Sequence, residues 1–321
     1  MGVSAILITT LIAFAASIIL GPITIPILRR LKFGQYIREE GPQAHLKKAG
    51  TPTMGGVIIM LAFAIAFLKA GTFNWEFLWI ILAALGFGAV GFMDDYIKVA
   101  LKNNKGLSAR HKLLGQLGIT LVIWIGLLAT GHPTTIAIPF TDAVIDFGWF
   151  GYGILLVIMF LGTTNAVNFT DGLDGLLSGS TAITMTAYAV IGLAMSNQNV
   201  SFAAAAMVGA SLGFLVFNAH PAKVFMGDTG SLGIGGALTM LAVLTKTELL
   251  LVVIGGLFVI EMLSVIIQVA SFKLRGKRIF RMSPIHHHFE LGGWTEWRIV
   301  LAFWGFAFIC ALIGIWMQKG M

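Results

Sequence analysis

Long apolar stretches dominate the chain, and short polar connections separate them. A helix that crosses a bilayer needs about 20 mostly apolar residues, within a range of roughly 17 to 25, and ten stretches approach this length, some marginally. Because ten is an even number, both termini are expected on the same side of the membrane. The pattern predicts spans at 3–28, 53–70, 75–93, 114–130, 149–166, 174–195, 202–217, 230–246, 249–270 and 299–317.

One connection, residues 131–148, contains the alternating run TTIAIPF and later VIDFGWF. Alternation with a period of two is typical of strands, so a small hairpin is expected here. The predicted fold is therefore an all-α polytopic membrane protein of about ten transmembrane helices, with a small outer hairpin. Residues 1–321 are expected to form a single integral membrane domain.

The composition excludes an ordinary soluble protein. Hydrophobic residues make up 57% of the chain and charged residues only 11%, whereas soluble domains carry about 25% charged residues. The lone cysteine, Cys310, has no intrachain partner, so disulfide bonds do not stabilise this fold. The lipid bilayer is the expected solvent, and no internal repeat of the kind common in secondary transporters is visible.

The basic residues divide unequally between the two sets of connections. One set holds 18 of the 21 Lys and Arg residues, and the other holds only Lys69, Lys246 and Lys319. Cytoplasmic loops are enriched in Lys and Arg, so the first set is predicted to be cytoplasmic and both termini to lie outside. The basic set comprises 29–52, 94–113, 167–173, 218–229 and 271–298.

Two adjacent acids, Asp94 and Asp95, follow the third predicted span. They could mark a solvated helix end, but acids at the C-terminal end of a helix oppose its dipole. A metal or cationic partner explains the pair more economically, and ionisable residues at the membrane boundary are commonly functional. We therefore favour a functional role for both acids.

The loop NAVNFTDGLDG, residues 165–175, has no Lys or Arg although it belongs to the basic set. Its Asn, Asp and Gly residues are also typical of turns, and Asp174 could cap the following helix. Capping does not account for the whole polar cluster. The cluster offers carboxylate and amide groups suited to the base and the ribose hydroxyls of a nucleoside.

A third acid, Asp228, lies between glycines in FMGDTGS, residues 225–231. A motif this short can arise by chance. A third carboxylate site on the same membrane face as Asp94 and Asp95 nevertheless suggests a hard cation. Oxygen ligands together with phosphates favour Mg²⁺.

Three consecutive histidines occur in SPIHHHFE, residues 283–290, within a basic loop. Histidines with an acid can bind zinc, but three consecutive side chains do not easily converge on one ion. The neighbouring Lys277, Arg278 and Arg281 favour phosphate binding instead.

Two further features stand near the predicted spans. The run KKAGTPTMGG, residues 47–56, places cations and glycines where the second span begins. A positive-inside anchor explains the charge, and the glycines also allow close approach of the backbone to a phosphate.

Glu261 lies inside the ninth apolar stretch and is expected to face protein or water rather than lipid.

These blocks, in this order and between these spans, resemble the polyprenyl-phosphate N-acetylhexosamine-1-phosphate transferases over essentially the whole chain. Within that superfamily, SPIHHHFELGGWTE together with NFTDGLDGL is similar to the branch whose donor carries a muramoyl-pentapeptide. The resemblance implies a Mg²⁺-dependent enzyme of the bacterial plasma membrane with a cytoplasmic active site and a homodimeric assembly. It implies no nucleic-acid partner.

The resemblance also implies roles for individual residues. Asp94 and Asp95 would be the catalytic acidic pair, Asp228 the catalytic metal ligand, and Lys48 a further polar group of the catalytic site. Other residues would bind the substrates, shaping a uridine pocket or lying near the donor's phosphate or sugar. These are Asn168, Asp171, Gly172, Leu173, Asp174, Phe225, His286, His287 and His288.

The implied reaction joins UDP-N-acetylmuramoyl-pentapeptide to undecaprenyl phosphate and releases UMP. The charges of the substrates agree with this reaction. A basic cytoplasmic face would attract the anionic donor, and a divalent cation would offset the repulsion between the two anionic substrates. One alternative is a sister transferase that uses UDP-N-acetylglucosamine, against which the histidine loop argues. Another is an ion-coupled transporter, whose acids should lie near the bilayer midplane, whereas most acids here cluster at one face.

The charge distribution predicts that the loops containing Asp94, Asp171, Asp228 and His287 are cytoplasmic. Single cysteines at positions 103 and 287 should therefore resist an impermeant thiol reagent in intact cells and react after permeabilisation. Labelling from outside at either position would contradict both the topology and the site built on it.

Overall fold

The structure, a computed structural model, describes residues 2–31, 50–100, 106–141 and 143–319. This part of the chain forms twelve helices and one two-stranded sheet. The helices are α1 (Val3–Arg30), α2 (Gly56–Ala70), α3 (Trp75–Ala100), α4 (Ala109–Ala129), α5 (Gly148–Thr170), α6 (Leu176–Ala194), α7 (Gln198–Asn218), α8 (Gly227–Leu244), α9 (Glu248–Ile254), α10 (Gly256–Arg275), α11 (Ile285–Glu290) and α12 (Glu296–Gln318). The strands are β1 (Thr135–Ala137) and β2 (Val144–Asp146).

The predicted all-α membrane fold is confirmed. Within the described residues, nine helices are long and apolar enough to cross a membrane, and α2 is a shorter apolar helix. Residues 53–55, predicted to begin the second span, precede the helix because the backbone of residues 52–55 pairs with the segment before α8. Gly55 N–H donates to Phe225 O at 2.8 Å, and Phe225 N–H donates to Pro52 O at 2.8 Å.

The ninth predicted span, 249–270, is divided into two helices. α9 ends at Ile254, and α10 begins at Gly256. The adjacent glycines Gly255 and Gly256 account for the break, because glycine is a poor helix former and glycine-containing sites are common places for kinks. The longer piece, α10, then extends to Arg275, five residues beyond the predicted end.

Helix α8 lies at the centre of the bundle. Every residue from Thr229 to Val243 is buried, and the helix packs on α3, α5, α2 and α9. A helix that is apolar on all sides is typical of such a central position. By contrast, α1, α4 and α10 expose much of their apolar surface, which is the surface expected to face lipid.

The contact between α3 and α8 is the most extensive in the described bundle, and Gly91 makes it unusually close. A Cβ atom at Gly91 would lie 2.1 Å from the carbonyl oxygen of Asp228, a separation that real Cβ atoms do not adopt. The missing side chain therefore lets the first turn of α8 rest directly on α3. This approach brings the acids of the two helices together.

The predicted hairpin is confirmed as a short antiparallel pair. Thr135 lies opposite Asp146 and Ala137 opposite Val144. The hairpin precedes α5, so it lies at the end of the bundle opposite Asn168 and the other polar residues near the end of that helix. We call these two ends the hairpin end and the site end.

Replacing Gly91 with alanine should destabilise the protein by about 1–3 kcal/mol, because the added methyl group overpacks the contact between α3 and α8. The matched control is Gly162→Ala in α5, where an added Cβ would meet nothing within 4 Å. That change should be neutral or stabilising by up to about 1 kcal/mol, since alanine favours helix. Equal unfolding midpoints of the two variants in detergent would contradict the close approach.

Candidate active site

Three carboxylates meet at the site end of the bundle. Asp94 and Asp95 come from α3 and Asp228 from the first turn of α8, and one oxygen from each lies within 4.8 Å of the others. Asp94 and Asp95 are buried, and the Asp228 side chain is 15% exposed. The predicted association of the acidic pair with Asp228 is therefore present in the structure.

The acidic pair does not end its helix, as the apolar pattern suggested. Helix α3 continues to Ala100, seven residues beyond the predicted boundary at 93. The acids are accommodated inside the helix by local partners. Asp94 forms an ion pair with Lys98, one turn later in the same helix, and accepts a hydrogen bond from Leu107 N–H at 2.7 Å.

The Asp95 carboxylate binds the beginning of α8. It accepts hydrogen bonds from the backbone N–H groups of Asp228 at 3.1 Å and Thr229 at 2.9 Å, and from the Thr229 hydroxyl at 2.7 Å. The first N–H groups of a helix have no partner within the helix, and a negative charge there is favourable. Asp95 therefore fixes the position of Asp228.

Two lysines surround the Asp228 carboxylate. Its Oδ2 atom accepts from Lys112 Nζ at 2.8 Å and from Lys98 Nζ at 3.3 Å. Since Lys98 also pairs with Asp94, two ammonium groups lie among three carboxylates. When all five groups are charged, the cluster retains one negative charge in excess.

Asn168 completes this side of the cluster from the last turn of α5. Its Nδ2 atom donates to Asp228 Oδ1 at 2.9 Å and to Ser231 Oγ at 2.8 Å. Its Oδ1 atom accepts from Lys112 Nζ at 3.3 Å. The amide nitrogen donates to Asp228 and the amide oxygen accepts from Lys112, so the two hydrogen bonds fix the orientation of the Asn168 amide.

Asp171 lies in the loop that follows α5 and accepts a hydrogen bond from Gly227 N–H at 3.1 Å. Burial raises the pKa of the Asp171 carboxyl to about 7, the Gly227 N–H group opposes this rise, and nearby Asp228 adds to it. A cation bound near Asp228 would favour the charged form of Asp171. The loop and the acidic cluster are therefore electrostatically linked.

Asp174, three residues farther on, belongs to a separate cluster with His220 and Glu296. Its Oδ2 atom lies 2.9 Å from His220 Nδ1 and accepts from Ala222 N–H at 3.0 Å. Its own N–H group donates to Glu296 Oε1 at 2.7 Å. The cap of α6 is Gly175, without a side-chain hydrogen bond, so Asp174 joins three segments of the site end instead.

Two other residues predicted for the nucleoside pocket lie in different settings. Phe225 is half-buried and pairs through its backbone with Pro52 and Gly55. Leu173 is buried in a small apolar cluster with residues of α6, α10 and α12. Lys48 lies outside the described residues.

The three histidines have three different partners. His286 is fully buried, and its Nδ1 atom lies 3.0 Å from Glu261 Oε1. His287 pairs with Glu290 at 2.9 Å, and His288 Nδ1 accepts from Arg281 N–H at 3.1 Å. The rings therefore do not converge on one point, and their role in donor binding remains a prediction.

Several residues of the site were not identified from the sequence. Lys98 could have been found, because it stands four residues after Asp94, at the spacing of a helical ion pair. Lys112 could not, since a lysine in a basic loop is indistinguishable from a topological charge. The contacts of Glu261 and of His220 with Glu296 join residues far apart in the chain, and no local pattern indicates them.

The cluster suits a hard cation. Carboxylate and amide oxygens are the ligands that Mg²⁺ prefers, and the excess negative charge would be reduced by a divalent ion. Among the described residues, this is one of two groups of three acids or histidines with converging ligand atoms. Of the two, it is the one composed only of carboxylates.

Comparison with known proteins agrees with this geometry. Residues 77–246 match the model of glycosyl transferase family 4, and residues 48–60 match signature 1 of phospho-N-acetylmuramoyl-pentapeptide-transferase. A phospho-N-acetylmuramoyl-pentapeptide-transferase of Bacillus subtilis is 54% identical over 317 residues, which cover 98% of each chain. The chain belongs to the phospho-N-acetylmuramoyl-pentapeptide-transferase family.

Other members of the family are similar over the same extent. The transferase of Halalkalibacterium halodurans is 53% identical over 98% of this chain and 97% of its own. That of Geobacillus kaustophilus is 54% identical over 99% of both chains. The family signature includes the segment that pairs with Phe225, beside the acidic cluster.

Asp228→Asn should weaken divalent-metal binding by about tenfold or more, because ligand charge is a main determinant of affinity. Stability should change little, since Lys98 keeps Asp94 as a partner. Metal binding can be followed with Mn²⁺ as a probe, and stability by the unfolding midpoint in detergent.

The comparison variant is Asp95→Asn, which removes an acceptor from the start of α8. It should cost about 1–3 kcal/mol of stability, because a buried N–H group loses its partner. Unchanged metal affinity in a well-folded Asp228→Asn variant would count against Asp228 as a ligand.

Proposed function

We propose that this protein transfers phospho-N-acetylmuramoyl-pentapeptide from its UDP-linked donor to undecaprenyl phosphate, giving the lipid-linked peptidoglycan precursor and UMP. The observation that carries the proposal is the cluster of Asp94, Asp95 and Asp228 with two lysines at one end of a membrane bundle of this family. An anionic soluble donor and a membrane-bound phosphate can meet only at such an end. The membrane in question is the bacterial plasma membrane.

We further propose that the site end faces the cytoplasm and that both termini lie outside. The unequal division of Lys and Arg supports this orientation. A cytoplasmic site would have access to a nucleotide donor. The assembly we propose is one transferase domain per chain in a homodimer, which rests on the family resemblance alone.

Lys98 and Lys112 would bind the phosphates of the substrates. Each now donates to Asp228, so both ammonium groups are held near one point. Lysine is a common phosphate ligand that acts as a point charge. As phosphates enter, the lysines would exchange part of their contact with Asp228 for phosphate oxygens.

The carboxylate of Asp228 would hold Mg²⁺, with Asp94 beside it, and Asp95 would keep Asp228 in place through the first N–H groups of α8. When bound, the ion would offset the negative charge of the phosphates and of the departing UMP. Lys48, which lies outside the described residues, is proposed as a further polar group of the site.

The reaction we favour is direct attack by the acceptor. An oxygen of the polyprenyl phosphate forms a bond to the sugar-bearing phosphorus of the donor, while the bond between that phosphorus and the bridging oxygen breaks. The electron pair leaves with UMP. A phosphate monoester has a second pKa near 6, so the acceptor is mostly dianionic at neutral pH, and Asp94 would position it or accept its remaining proton.

The competing route uses a carboxylate as the nucleophile and forms a phosphosugar-enzyme intermediate. Both oxygens of Asp95 already accept hydrogen bonds from α8, and Asp94 and Asp228 are paired with lysines. These contacts lower the nucleophilicity of the carboxylates. They favour the direct route.

The donor would lie along the loop after α5. In this proposal Asn168, Asp171 and Asp174 bind or orient the uridine end, and Phe225 covers it. Gly172 and Leu173 set the shape of the loop. His287 and His288, which are partly exposed, would face the phosphate or the sugar, while the buried His286 supports them.

The test uses purified protein, labelled UDP-muramoyl-pentapeptide, polyprenyl phosphate and Mg²⁺, with UMP release as the readout. We expect release that requires all three additions. Asp94→Asn should lower the rate by about 10² to 10⁴ if general-base action dominates, and recover partly as pH rises. The absence of UMP release from the folded wild-type protein would refute the proposed function.

Two control arms sharpen this assay. UDP-N-acetylglucosamine should neither replace the donor nor compete with it, and if it did, the sister activity would be supported. Labelled UMP should not exchange into the donor when polyprenyl phosphate is withheld. Robust exchange in lipid-free enzyme would instead establish a covalent intermediate, as expected for ping-pong kinetics.

A further inference from the structure

Glu261 is a fully buried acid in α10. The neighbouring side chains of this helix are mostly exposed and apolar, including Leu263 and Ile266, as expected for a helix in contact with lipid. A carboxylate in such a setting is costly unless hydrogen bonds satisfy it. The hydrogen-bond partners of the Glu261 carboxylate therefore indicate its role in the structure.

Both oxygens of Glu261 bind the start of α11, the short helix that carries the three histidines; we call this helix and the connections on either side of it the histidine loop. Oε2 accepts from the backbone N–H of Ile285 at 3.0 Å, and Oε1 lies 3.0 Å from Nδ1 of His286. One acid thus holds a backbone group and the adjacent side chain. With the Nδ1 proton directed at the carboxylate, the orientation of the His286 ring is determined.

The other edge of the His286 ring lies against Gly172, in the loop between α5 and α6. A Cβ atom at Gly172 would be 2.2 Å from His286 Nε2, so the ring occupies the space that a side chain at position 172 would need. Nε2 is buried and has no hydrogen-bond partner among the described residues. Among the described residues, the hydrogen bond that orients the ring therefore comes from Glu261 alone.

Gly172 follows Asp171, which binds the residue before Asp228. A short series of contacts thus runs from the acid in α10 through the histidine ring to the loop beside the carboxylate cluster. Each contact joins segments that are distant in sequence. If Glu261 released the ring, both the histidine loop and the Gly172 loop would lose a fixed neighbour.

We infer that Glu261 is a positioning residue for the donor: it holds His286 against Gly172 and so fixes the two loops that receive the nucleotide sugar. The inference rests on the proposed function, because that function assigns these loops to the donor. The polyprenyl phosphate would not depend on this contact in the same way. The effect should therefore appear in donor binding.

The first test needs no substrate. Glu261→Gln replaces an acceptor of two hydrogen bonds with a group that can accept only at one end. Amide hydrogen exchange should become faster by about tenfold or more over residues 285–290 and 171–175, since local opening becomes easier. Unchanged exchange in both segments would overturn the inference, whatever reaction the protein catalyses.

The second test is kinetic. Glu261→Gln should raise the donor KM by about ten- to hundredfold, the size expected for a lost hydrogen bond to a charged group. The kcat and the KM for polyprenyl phosphate should stay within about twofold of wild type. An unchanged donor KM, or an equal loss for both substrates, would overturn the positioning role.

A double variant tests the route through the histidine. If Glu261 acts by holding His286, Glu261→Gln combined with His286→Asn should raise the donor KM no more than the larger single change does. Fully additive effects would refute this route. Glu261→Asp, which keeps the charge but shortens the reach, should have an intermediate effect and serves if the glutamine variant does not fold.

The matched control is Glu248→Gln, which changes another buried acid at the hairpin end, where it pairs with Lys246 and Tyr152. It should affect neither the donor KM nor exchange in the two loops. A similar rise in donor KM would show a general effect of removing a buried acid and would overturn the inference. Failure of wild-type UMP release would instead reject the proposed function, while the exchange result still decides whether Glu261 fixes the loops.

Discussion

The site depends on one contact, between the Asp95 carboxylate and the first N–H groups of α8. A helix that begins inside a protein leaves these donors without partners, and a buried N–H group that stays without a partner is costly. Asp95 satisfies them from α3 and at the same time sets Asp228 beside Asp94. The close approach at Gly91 makes the contact sterically feasible.

Most of the negative charge at the site end is offset within the cluster. Lys98 and Lys112 lie among the three acids, and Asn168 hydrogen-bonds to both Asp228 and Lys112. Such an arrangement stabilises the acids and also keeps two cations where phosphates would arrive. The interactions that hold the cluster together are thus the ones that phosphoryl transfer would draw upon.

Much of the fold could be predicted from the sequence, because membrane spans follow from local patterns of hydropathy. The apolar stretches predicted the helices, and the alternation within residues 131–148 predicted the hairpin. The positions of Asp94, Asp95 and Asp228 in separate blocks also suggested a common site. The errors were local: α3 continues past its acids because Lys98 pairs with Asp94 one turn later, and the ninth span divides at Gly255.

The sequence by itself determined that this is a helical membrane protein and which chemical groups are concentrated in its loops, since bilayer thickness and hydropathy act on each segment separately. Only the tertiary structure decided which groups meet. Lys112 reaches Asp228 across 116 residues of chain, and Glu261 reaches His286 from another helix. The physical reason is that a hydrogen bond or ion pair depends on distance in space, and the packing of helices brings together side chains whose separation along the chain carries no signal.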